Sequence, residues 1–255
     1  MIFIREEGVS ENKILLIHGL GEHSGRYWNF IERAIKEGLS VITFDLPGHG
    51  RSQGIRGHAP LKKVLSVIEN ITKNIKNPPI IFGHSLGGLI AAKYVEEGGK
   101  AKVLILSSPG LDYDRTKISK SLVNLAKFLS IIVPFLPMDN RIDPNFLSRN
   151  KDAVYKYTHD PLVHNKISIL LARDFFVESQ KVVEEAGKIS IPTLVLIGTE
   201  DRVTPPDGAR KFFRNLSSKD KKIIEYKGAY HEIFEDPVYS KQFYDDIFTF
   251  IKEHL

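Results

Sequence analysis

Short apolar segments rich in β-branched residues recur along the sequence, and helical patterns lie between and after them. The apolar segments are continuously hydrophobic, which is typical of strands covered on both faces in a parallel sheet. They are Lys13–Ile17, Val41–Phe44, Ile80–Phe82, Val103–Leu106, Thr193–Ile197 and Lys222–Tyr226. The helical segments are Tyr27–Glu37, Leu61–Ile75, Leu86–Glu96, Ala209–Leu216 and Val238–His254. This alternation predicts a doubly wound, mostly parallel α/β sheet.

The alternation is interrupted once, between about residues 112 and 186. Helix-like pieces separated by four prolines occupy this region, and none of them has a convincing strand pattern. Because an unstructured loop of that length is rare in a compact domain, we expect a helical cap over the sheet. The predicted organisation is a core formed by residues 1–111 and 187–255 and a cap formed by residues 112–186.

Composition excludes several classes of protein. The chain has no cysteine, which excludes disulfides, thiolate metal sites and a cysteine nucleophile. Its formal net charge is only +5 and its lysines are dispersed, so we expect no nucleic-acid partner. No apolar stretch reaches the roughly 18 residues that cross a bilayer. The first 13 residues do not resemble a secretory signal, so we expect a cytoplasmic protein. The two methionines and the many Lys, Glu and Ile residues would suit a heat-adapted protein.

The strongest chemical motif is Gly83-His-Ser-Leu-Gly87, which lies between a predicted strand and a predicted helix. In that context the motif forms a sharp turn that lifts the serine hydroxyl clear of the sheet. Glycines on both sides let the chain segments pass without a clash. The N-terminus of the following helix also favours negative charge near the serine. We therefore predict that Ser85 is a nucleophile.

A serine hydroxyl reacts only when a base removes its proton and an acid orients that base. The expected order on such a sheet is serine, acid, histidine. Asp201 follows one predicted strand and His231 follows the last one, so they are the predicted acid and base. Glu200 and Asp112 remain alternative acids. We expect His84 to pack inside the turn rather than to act as the base.

A second glycine-rich segment, His18-Gly-Leu-Gly21, follows the first predicted strand. Such a loop can direct a backbone N–H towards an oxyanion, together with the N–H of the residue after the serine. The predicted donors are therefore the backbone N–H groups of Leu20 and Leu86. Loss of one such donor usually lowers the rate by about 10²–10³.

Together these residues resemble the α/β-hydrolase superfamily and, more narrowly, its monoacylglycerol lipase and lysophospholipase branch. The narrower resemblance depends on the loops of Asp201 and His231 and on three longer segments. These are His18-Gly-Leu-Gly-Glu-His-Ser-Gly-Arg-Tyr27, Asp45-Leu-Pro-Gly-His-Gly-Arg-Ser52 and Gly83-His-Ser-Leu-Gly-Gly88. The resemblance runs from about residue 13 to residue 251.

This resemblance implies an α/β-hydrolase fold with a helical cap inserted after the sixth strand. It implies hydrolysis of acyl esters of glycerol or related lipids by Ser85, with no cofactor and with the acyl chain held under the cap. By matching position, it also implies that Val203 lines the acyl pocket.

An apolar stripe at helical spacing runs through the first part of the expected cap. Its members are Ile118, Leu122, Leu125, Leu129, Ile132 and Leu136, widened by Val123, Phe128, Ile131 and Phe135. Two interpretations remain open: ordinary buried core, or a lid that lines an acyl tunnel and touches a membrane or micelle. In the second, Phe128, Leu129, Ile132 and Phe135 bind substrate, and the protein associates peripherally with membranes.

Other chemistries are poorly supported. The histidine pairs at 18 and 23 and at 159 and 164 lack a convincing third ligand, so no metal is expected. The glycine-rich segment lacks the third glycine of a dinucleotide-binding motif. Dehalogenases and epoxide hydrolases of this fold would place a carboxylate where Ser85 stands. The remaining alternatives are a short-chain carboxylesterase or thioesterase, a lysophospholipase, and a non-catalytic binding protein. The sequence leaves the oligomeric state open.

Overall fold

The computed structural model describes residues 1–113 and 118–255. None of the helices in these ranges combines the length and apolarity that a bilayer crossing requires. Residues 114–117, at the start of the expected cap, lie outside the described residues.

Within the described ranges the chain forms nine strands. In chain order they are β1 Ile4–Glu7, β2 Lys13–Ile17, β3 Ser40–Phe44, β4 Ile80–His84, β5 Val103–Ser107, β6 Pro137–Asp139, β7 Lys166–Ser168, β8 Thr193–Gly198 and β9 Lys221–Tyr226. Seven of them form the main sheet, in the order β1-β3-β2-β4-β5-β8-β9. All neighbours in this sheet are parallel except β1 and β3. The predicted mostly parallel α/β fold is therefore confirmed.

The strand order places two loops side by side at the centre of the sheet. After β2 the chain moves to one side to form β3, and it then returns to form β4 on the other side of β2. Ile17 of β2 pairs with Gly83 of β4, so both strands end at the same edge. This reversal is a topological switch point, where open α/β sheets place their ligand sites.

Helices cover both faces of the sheet, and others lie in the inserted segment. In chain order the helices of the described ranges are α1 Trp28–Lys36, α2 Leu61–Thr72, α3 Leu86–Glu96, α4 Lys120–Ile132, α5 Lys151–His159, α6 Ile169–Glu184, α7 Pro206–Asn215 and α8 Ser240–Glu253. Alternate residues of a strand face opposite sides. In β2, Leu15 and Ile17 therefore enter one apolar layer, whereas Ile14 and Leu16 enter the other. Helix α3 is buried along its whole length, which explains why its sequence is mostly apolar; its buried Lys93 and Glu96 pair with each other.

Three features of the fold differ from the sequence-based expectations. Strand β1 was not predicted, because its residues are mostly polar and it forms only an antiparallel edge beside β3. The expected insertion after the sixth strand is wrong: the inserted segment follows β5, because only one edge strand and four parallel strands precede it. The inserted segment also contains strands, since β6 and β7 pair as a small antiparallel sheet. Three residues each are too few to give a recognisable pattern.

The inserted segment contacts the rest of the molecule mainly through α6. Helix α4 packs on α6, and α6 in turn packs on α3 and α7, which belong to the layers beside the sheet. Helix α4 begins after Ser119, whose hydroxyl accepts the backbone N–H of Leu122, and it ends just before Pro134. The division into a core (1–111 and 187–255) and a cap (112–186) remains a proposal, and α6 contacts both parts.

Candidate active site

Ser85 occupies a strained turn between β4 and α3. Its φ and ψ angles are 55° and −120°, a region that non-glycine residues rarely adopt. Glycine is required at both flanking positions because a Cβ atom there would clash with backbone. A Cβ on Gly83 would lie 2.3 Å from the carbonyl oxygen of Gly87, and one on Gly87 would lie 2.1 Å from that of Ile17. The turn can therefore form only with glycine at both positions, as the motif predicted.

The structure brings Asp201 and His231 into direct contact. His231 Nδ1 and Asp201 Oδ2 are 2.8 Å apart, and both side chains are almost fully buried. The other carboxylate oxygen of Asp201 accepts the backbone N–H groups of Val203 and Thr204, at 2.8 and 2.9 Å. Of the alternative acids, Glu200 is exposed, and Asp112 accepts a hydrogen bond from the backbone N–H of the next residue. The geometry therefore favours Asp201.

The surroundings of His231 act on its protonation in opposite directions. Burial lowers its pKa, but the charge of Asp201 and the hydrogen bond to it, with smaller contributions from Glu232 and Glu22, together raise the pKa more, so that the net pKa lies above 6.5. The Asp201 carboxylate therefore stabilises the imidazolium form. A histidine in this position can accept a proton and hold it as a paired cation.

His84 packs inside the turn, beside His231. The two ring centroids are 4.7 Å apart, and His84 Nδ1 lies 3.1 Å from the hydroxyl of Ser107. Burial and the charge on His231 lower the pKa of His84 to about 3, so His84 stays neutral. Because His84 precedes Ser85, this contact also places the His231 ring close to the nucleophile turn.

The loop after β2 passes directly over Ser85. A Cβ added to Gly19 would lie 3.1 Å from the Cβ of Ser85. Among the described residues, the backbone N–H groups of Leu20 and Leu86 meet no hydrogen-bond acceptor. Both groups are therefore free to donate to a substrate oxygen, and their part in an oxyanion hole remains a proposal.

A buried charge network joins this loop to the histidine loop. Arg26 binds Glu22 at 2.5 Å and Glu232, which follows the histidine, at 2.6 and 2.8 Å. Glu22 also accepts the backbone N–H of Gly19 and the hydroxyl of Tyr27, both at 2.6 Å. Burial opposes the charge of Glu22, but Arg26 and smaller contributions from neighbouring groups, including the Tyr27 hydroxyl, together outweigh burial, and the pKa of Glu22 falls to about 2. The network ties the predicted oxyanion loop to the histidine loop. The i, i+4 spacing of Glu22 and Arg26 could have indicated this pair.

The predicted substrate-binding residues lie in two places. Val203 is half-buried and donates its backbone N–H to Asp201. The other four lie on α4 or just after it: Leu129 is half-buried, whereas Phe128, Ile132 and Phe135 are 60%, 60% and 57% exposed. The buried residues of α4 are Val123, Ala126 and Ser130. The interpretation of the apolar stripe as ordinary core is therefore wrong. Periodicity identifies an apolar face but does not say what covers it.

Two hydroxyl residues beside the Asp201–His231 pair were missed. The hydroxyl of Thr204 lies 3.0 Å from Asp201 Oδ2, and the hydroxyl of Ser108 donates to the carbonyl of His231 at 2.7 Å. The signal was present for Ser108, because polar residues at the end of a buried strand lie at the edge that carries the site. Across the described ranges, no group of three or more His, Asp or Glu side chains could hold a metal ion.

Comparisons with known proteins identify the family of this chain. A family model described as serine aminopeptidase, S33, matches residues 9–238. The solved structure of a monoacylglycerol lipase from Paleococcus ferrophilus is 43% identical, with both chains covered completely and a TM-score of 0.97. A monoacylglycerol lipase from Mycolicibacterium smegmatis is 33% identical over 252 residues, 95% of this chain and 88% of that protein.

A further relative is much longer than this chain. It is an uncharacterized abhydrolase domain-containing protein from Dictyostelium discoideum, 33% identical over 248 residues, and the match covers 95% of this chain but only 26% of the relative. The matched family model and the relatives that align along nearly their whole length decide the classification. The chain therefore belongs to the α/β-hydrolase superfamily, in the serine aminopeptidase S33 family, together with the monoacylglycerol lipases.

Proposed function

We propose that this protein hydrolyses monoacylglycerols to glycerol and a free fatty acid through an acyl-enzyme on Ser85. The observation that carries the proposal is the buried 2.8 Å contact between His231 and Asp201, beside the strained turn of Ser85. Two relatives named above are monoacylglycerol lipases, and one of them matches the whole chain. A binding protein without activity would have no need of the strained serine or of the buried ion pair.

In the acylation step, Ser85 Oγ attacks the ester carbonyl while His231 removes the hydroxyl proton. The carbonyl π electrons move to the oxygen, and the N–H groups of Leu20 and Leu86 stabilise the resulting oxyanion. The intermediate collapses and the carbon–oxygen bond to glycerol breaks. His231 then gives its proton to the departing alkoxide, and Asp201 holds the ring and stabilises its cation throughout.

Deacylation repeats the same steps with water. His231 takes a proton from water as its oxygen attacks the acyl carbon, and the bond to Ser85 Oγ breaks. The proton returns from His231 to Ser85, which restores the enzyme and releases the fatty acid. Every proton and electron pair is accounted for without a cofactor.

The inserted segment supplies the apolar surface for the acyl chain in this proposal. Val203 lies beside the acid, and Phe128, Leu129, Ile132 and Phe135 lie on or just after α4. Large apolar side chains that remain exposed usually mark a surface that binds something apolar. We assign these five residues to the acyl chain.

The same face of α4 is proposed to contact a lipid surface. Ile131 is 81% exposed, beside the exposed Phe128 and Ile132. An amphipathic helix with such a face binds at the headgroup boundary of a membrane or micelle. Contact there would let a monoacylglycerol enter the site without crossing water.

The proposed activity is tested with purified wild type and Ser85→Ala. The substrates are monoacylglycerols from butyryl to oleoyl, p-nitrophenyl esters, a lysophospholipid and a triacylglycerol. We expect strong turnover of long-chain monoacylglycerols, lowered about 10³-fold or more in the variant. Activity confined to acetyl and butyryl esters would contradict the lipid assignment. Near-normal turnover by Ser85→Ala would exclude the proposed nucleophile.

The membrane contact has a separate test, cosedimentation with phosphatidylcholine vesicles. Ile131→Ser should weaken binding about 10-fold or more, because burying an exposed apolar side chain in the interface contributes about 1.5–3 kcal/mol. Val9→Ser is the matched control, since Val9 is fully exposed in the turn between β1 and β2. Equal vesicle binding by wild type and Ile131→Ser would contradict the proposal.

A further inference from the structure

The segment Ser107–Gly110, which comprises the last residue of β5 and the start of the following loop, contacts both backbone polar groups of the nucleophile Ser85. The carbonyl oxygen of Ser107 accepts the backbone N–H of Ser85 at 3.0 Å. The backbone N–H of Gly110 donates to the carbonyl oxygen of Ser85 at 2.8 Å. This segment therefore holds the strained turn from the neighbouring strand, independently of the contacts that Ser85 makes within β4 and α3.

Ser108, in the middle of this segment, also contacts the histidine loop. Its hydroxyl donates to the carbonyl oxygen of His231 at 2.7 Å, and it is only 1% exposed. Its backbone N–H donates to Leu196 in the strand that precedes the acid, at 2.8 Å. A buried carbonyl without a donor is costly, so this hydroxyl fixes where the backbone of His231 lies.

The third polar group of Ser108 is linked to Asp201 through Thr204. Its carbonyl oxygen lies 3.1 Å from the hydroxyl of Thr204. The same Thr204 hydroxyl is 3.0 Å from Asp201 Oδ2 and 3.3 Å from His231 Nδ1. Every polar group of Ser108 is thus engaged, and two of the three contacts lead directly to the loops of Asp201 and His231.

The backbone of Ser108 is strained. Its φ angle is 41°, and among the described residues only Ser85 and Arg141 are other non-glycine residues with positive φ. Such strain persists only where the surroundings over-determine it, and it concentrates at functional sites. Serine occupies position 108 although glycine would adopt this backbone conformation at less cost. What serine has and glycine lacks is the hydroxyl that binds His231.

We propose that Ser108 is a positioning residue for hydrolysis, whose hydroxyl holds the His231 backbone so that the imidazole stays aligned with Ser85 and Asp201. The inference rests on the proposed function, since it gives Ser108 a part in that reaction. Ser108 touches no reacting atom and acts through His231. Misplacing a reacting group by about 1 Å can lower a rate by about 10²-fold.

The test compares Ser108→Ala with Ser40→Ala in the intact chain. Ser40 is also fully buried, and its hydroxyl also donates to a backbone carbonyl, that of Ser10 at 3.0 Å, but at the opposite end of the sheet. Ser108→Ala loses one buried hydrogen bond. Ser40→Ala loses two, because the Ser40 hydroxyl also accepts the backbone N–H of Ser10 at 2.6 Å, so it is the more severe change. Ser108→Ala should lower kcat about 10-fold or more with KM changed less than about twofold. Ser40→Ala should leave kcat unchanged.

Ser108→Gly separates the hydroxyl from the backbone strain. Glycine relaxes the positive φ, so this variant should unfold at a higher temperature than Ser108→Ala. Its kcat should nevertheless stay as low as that of Ser108→Ala. Recovery of wild-type kcat in Ser108→Gly would show that strain matters rather than the contact, and would overturn the proposal.

Substitutions at Thr204 provide a second test, which does not require the Ser108 variants to fold. Thr204→Val removes the hydroxyl that bridges Ser108 and Asp201, and kcat should fall about 10-fold. Thr204→Ser keeps the hydroxyl, so its kcat should be close to that of wild type. Equal kcat in Thr204→Val and Thr204→Ser would contradict the proposed link.

An organophosphonate that labels Ser85 distinguishes failure of this inference from failure of the proposed function. If wild type is not labelled and Ser85→Ala behaves identically, the proposed function fails. If wild type is labelled and Ser108→Ala is labelled at the same rate, only the inference fails. We expect Ser108→Ala to be labelled about 10-fold more slowly.

Discussion

At the scale of single residues, the protonation of His231 depends on Asp201. Burial alone would lower the pKa of this histidine, and Asp201 reverses the direction. The carboxylate therefore has two consequences in the proposed mechanism. It stabilises the imidazolium that forms when Ser85 is deprotonated, and it makes His231 take up a proton at a higher pH than an isolated histidine would.

The pH dependence of hydrolysis should show this shift. Only neutral His231 can accept the Ser85 proton, so kcat/KM should fall as the pH is lowered through the pKa of the free enzyme. Because that pKa is raised, the midpoint should lie above 6.5. The measurement is kcat/KM for a soluble short-chain ester across this range. A midpoint at or below 6.5 would contradict the raised pKa of His231.

Asp201→Asn is the corresponding control. It removes the Asp201 charge, leaves the burial that lowers the pKa, and leaves the smaller contributions of Glu232 and Glu22 that raise it. The imidazole of His231, followed by NMR in this variant, should therefore titrate at a lower pH than in wild type. An unchanged titration would mean that Asp201 does not set the protonation of the histidine.

At the scale of secondary-structure elements, α3 packs so closely on β2 that no side chain fits between them at Gly87. Alanine would favour the helix by about 1 kcal/mol, but its Cβ would lie 2.1 Å from the carbonyl oxygen of Ile17. The contact is with backbone, which cannot rotate away. Gly87→Ala should therefore lower the free energy of unfolding by at least about 3 kcal/mol.

Gly187→Ala provides a matched control for this substitution. A Cβ at Gly187 would meet only the carbonyl oxygen of Asn215, at an ordinary 3.6 Å. It should raise the free energy of unfolding by about 0.5 kcal/mol, because the unfolded chain loses freedom. Urea unfolding measures both variants. Equal stability of Gly87→Ala and Gly187→Ala would show that α3 can move away from β2.

These elements also show what could be predicted from the sequence. The central strands were predictable because burial on both faces makes them continuously apolar. Strand β1 was not, because its sequence Ile4-Arg-Glu-Glu7 has a single apolar residue and pairs only through its backbone with β3. The apolar stripe of α4 was predictable as a stripe. Its exposure was not, because that depends on which elements pack against it.

The predicted site shows the same limit. Ser85 could be identified because the turn that presents it is encoded by its immediate neighbours. Asp201 and His231 could be nominated from their places after strands. The contact between Ser108 and His231 joins residues 123 positions apart, and no local pattern reports it. Contacts of this kind arise only when the sheet places the ends of several strands together.

At the scale of the whole molecule, the fold keeps several histidines buried and neutral. His18, His49 and His84 are at most 1% exposed. Burial lowers the pKa of each of them below 6.5, and that of His84 to about 3. These three histidines therefore stay neutral in the folded protein under mildly acidic conditions, in which a histidine exposed to water is protonated.

Lowering the pH should therefore destabilise the protein at pH values well above those at which its carboxylates are protonated. Below pH 6.5 the unfolded chain binds a proton at each of these histidines and the folded protein does not, so stability falls as the pH falls. Each histidine contributes a slope of about 1.4 kcal/mol per pH unit until its folded pKa is reached. His231 adds no slope there, because its folded pKa lies above 6.5 and both states are already protonated.

Urea unfolding of wild type and His49→Leu between pH 6.5 and pH 4.5 tests this prediction. His49 lies in the loop after β3, and its Nδ1 lies 3.0 Å from the carbonyl oxygen of Pro47, so the variant lacks this contact at every pH. The slope against pH is what matters, and the difference between the two proteins cancels the contributions of the carboxyl groups. The slope should be about 1.4 kcal/mol per pH unit smaller in His49→Leu. If the two slopes are equal, His49 is protonated in the folded protein as readily as in the unfolded chain, and its pKa is not lowered.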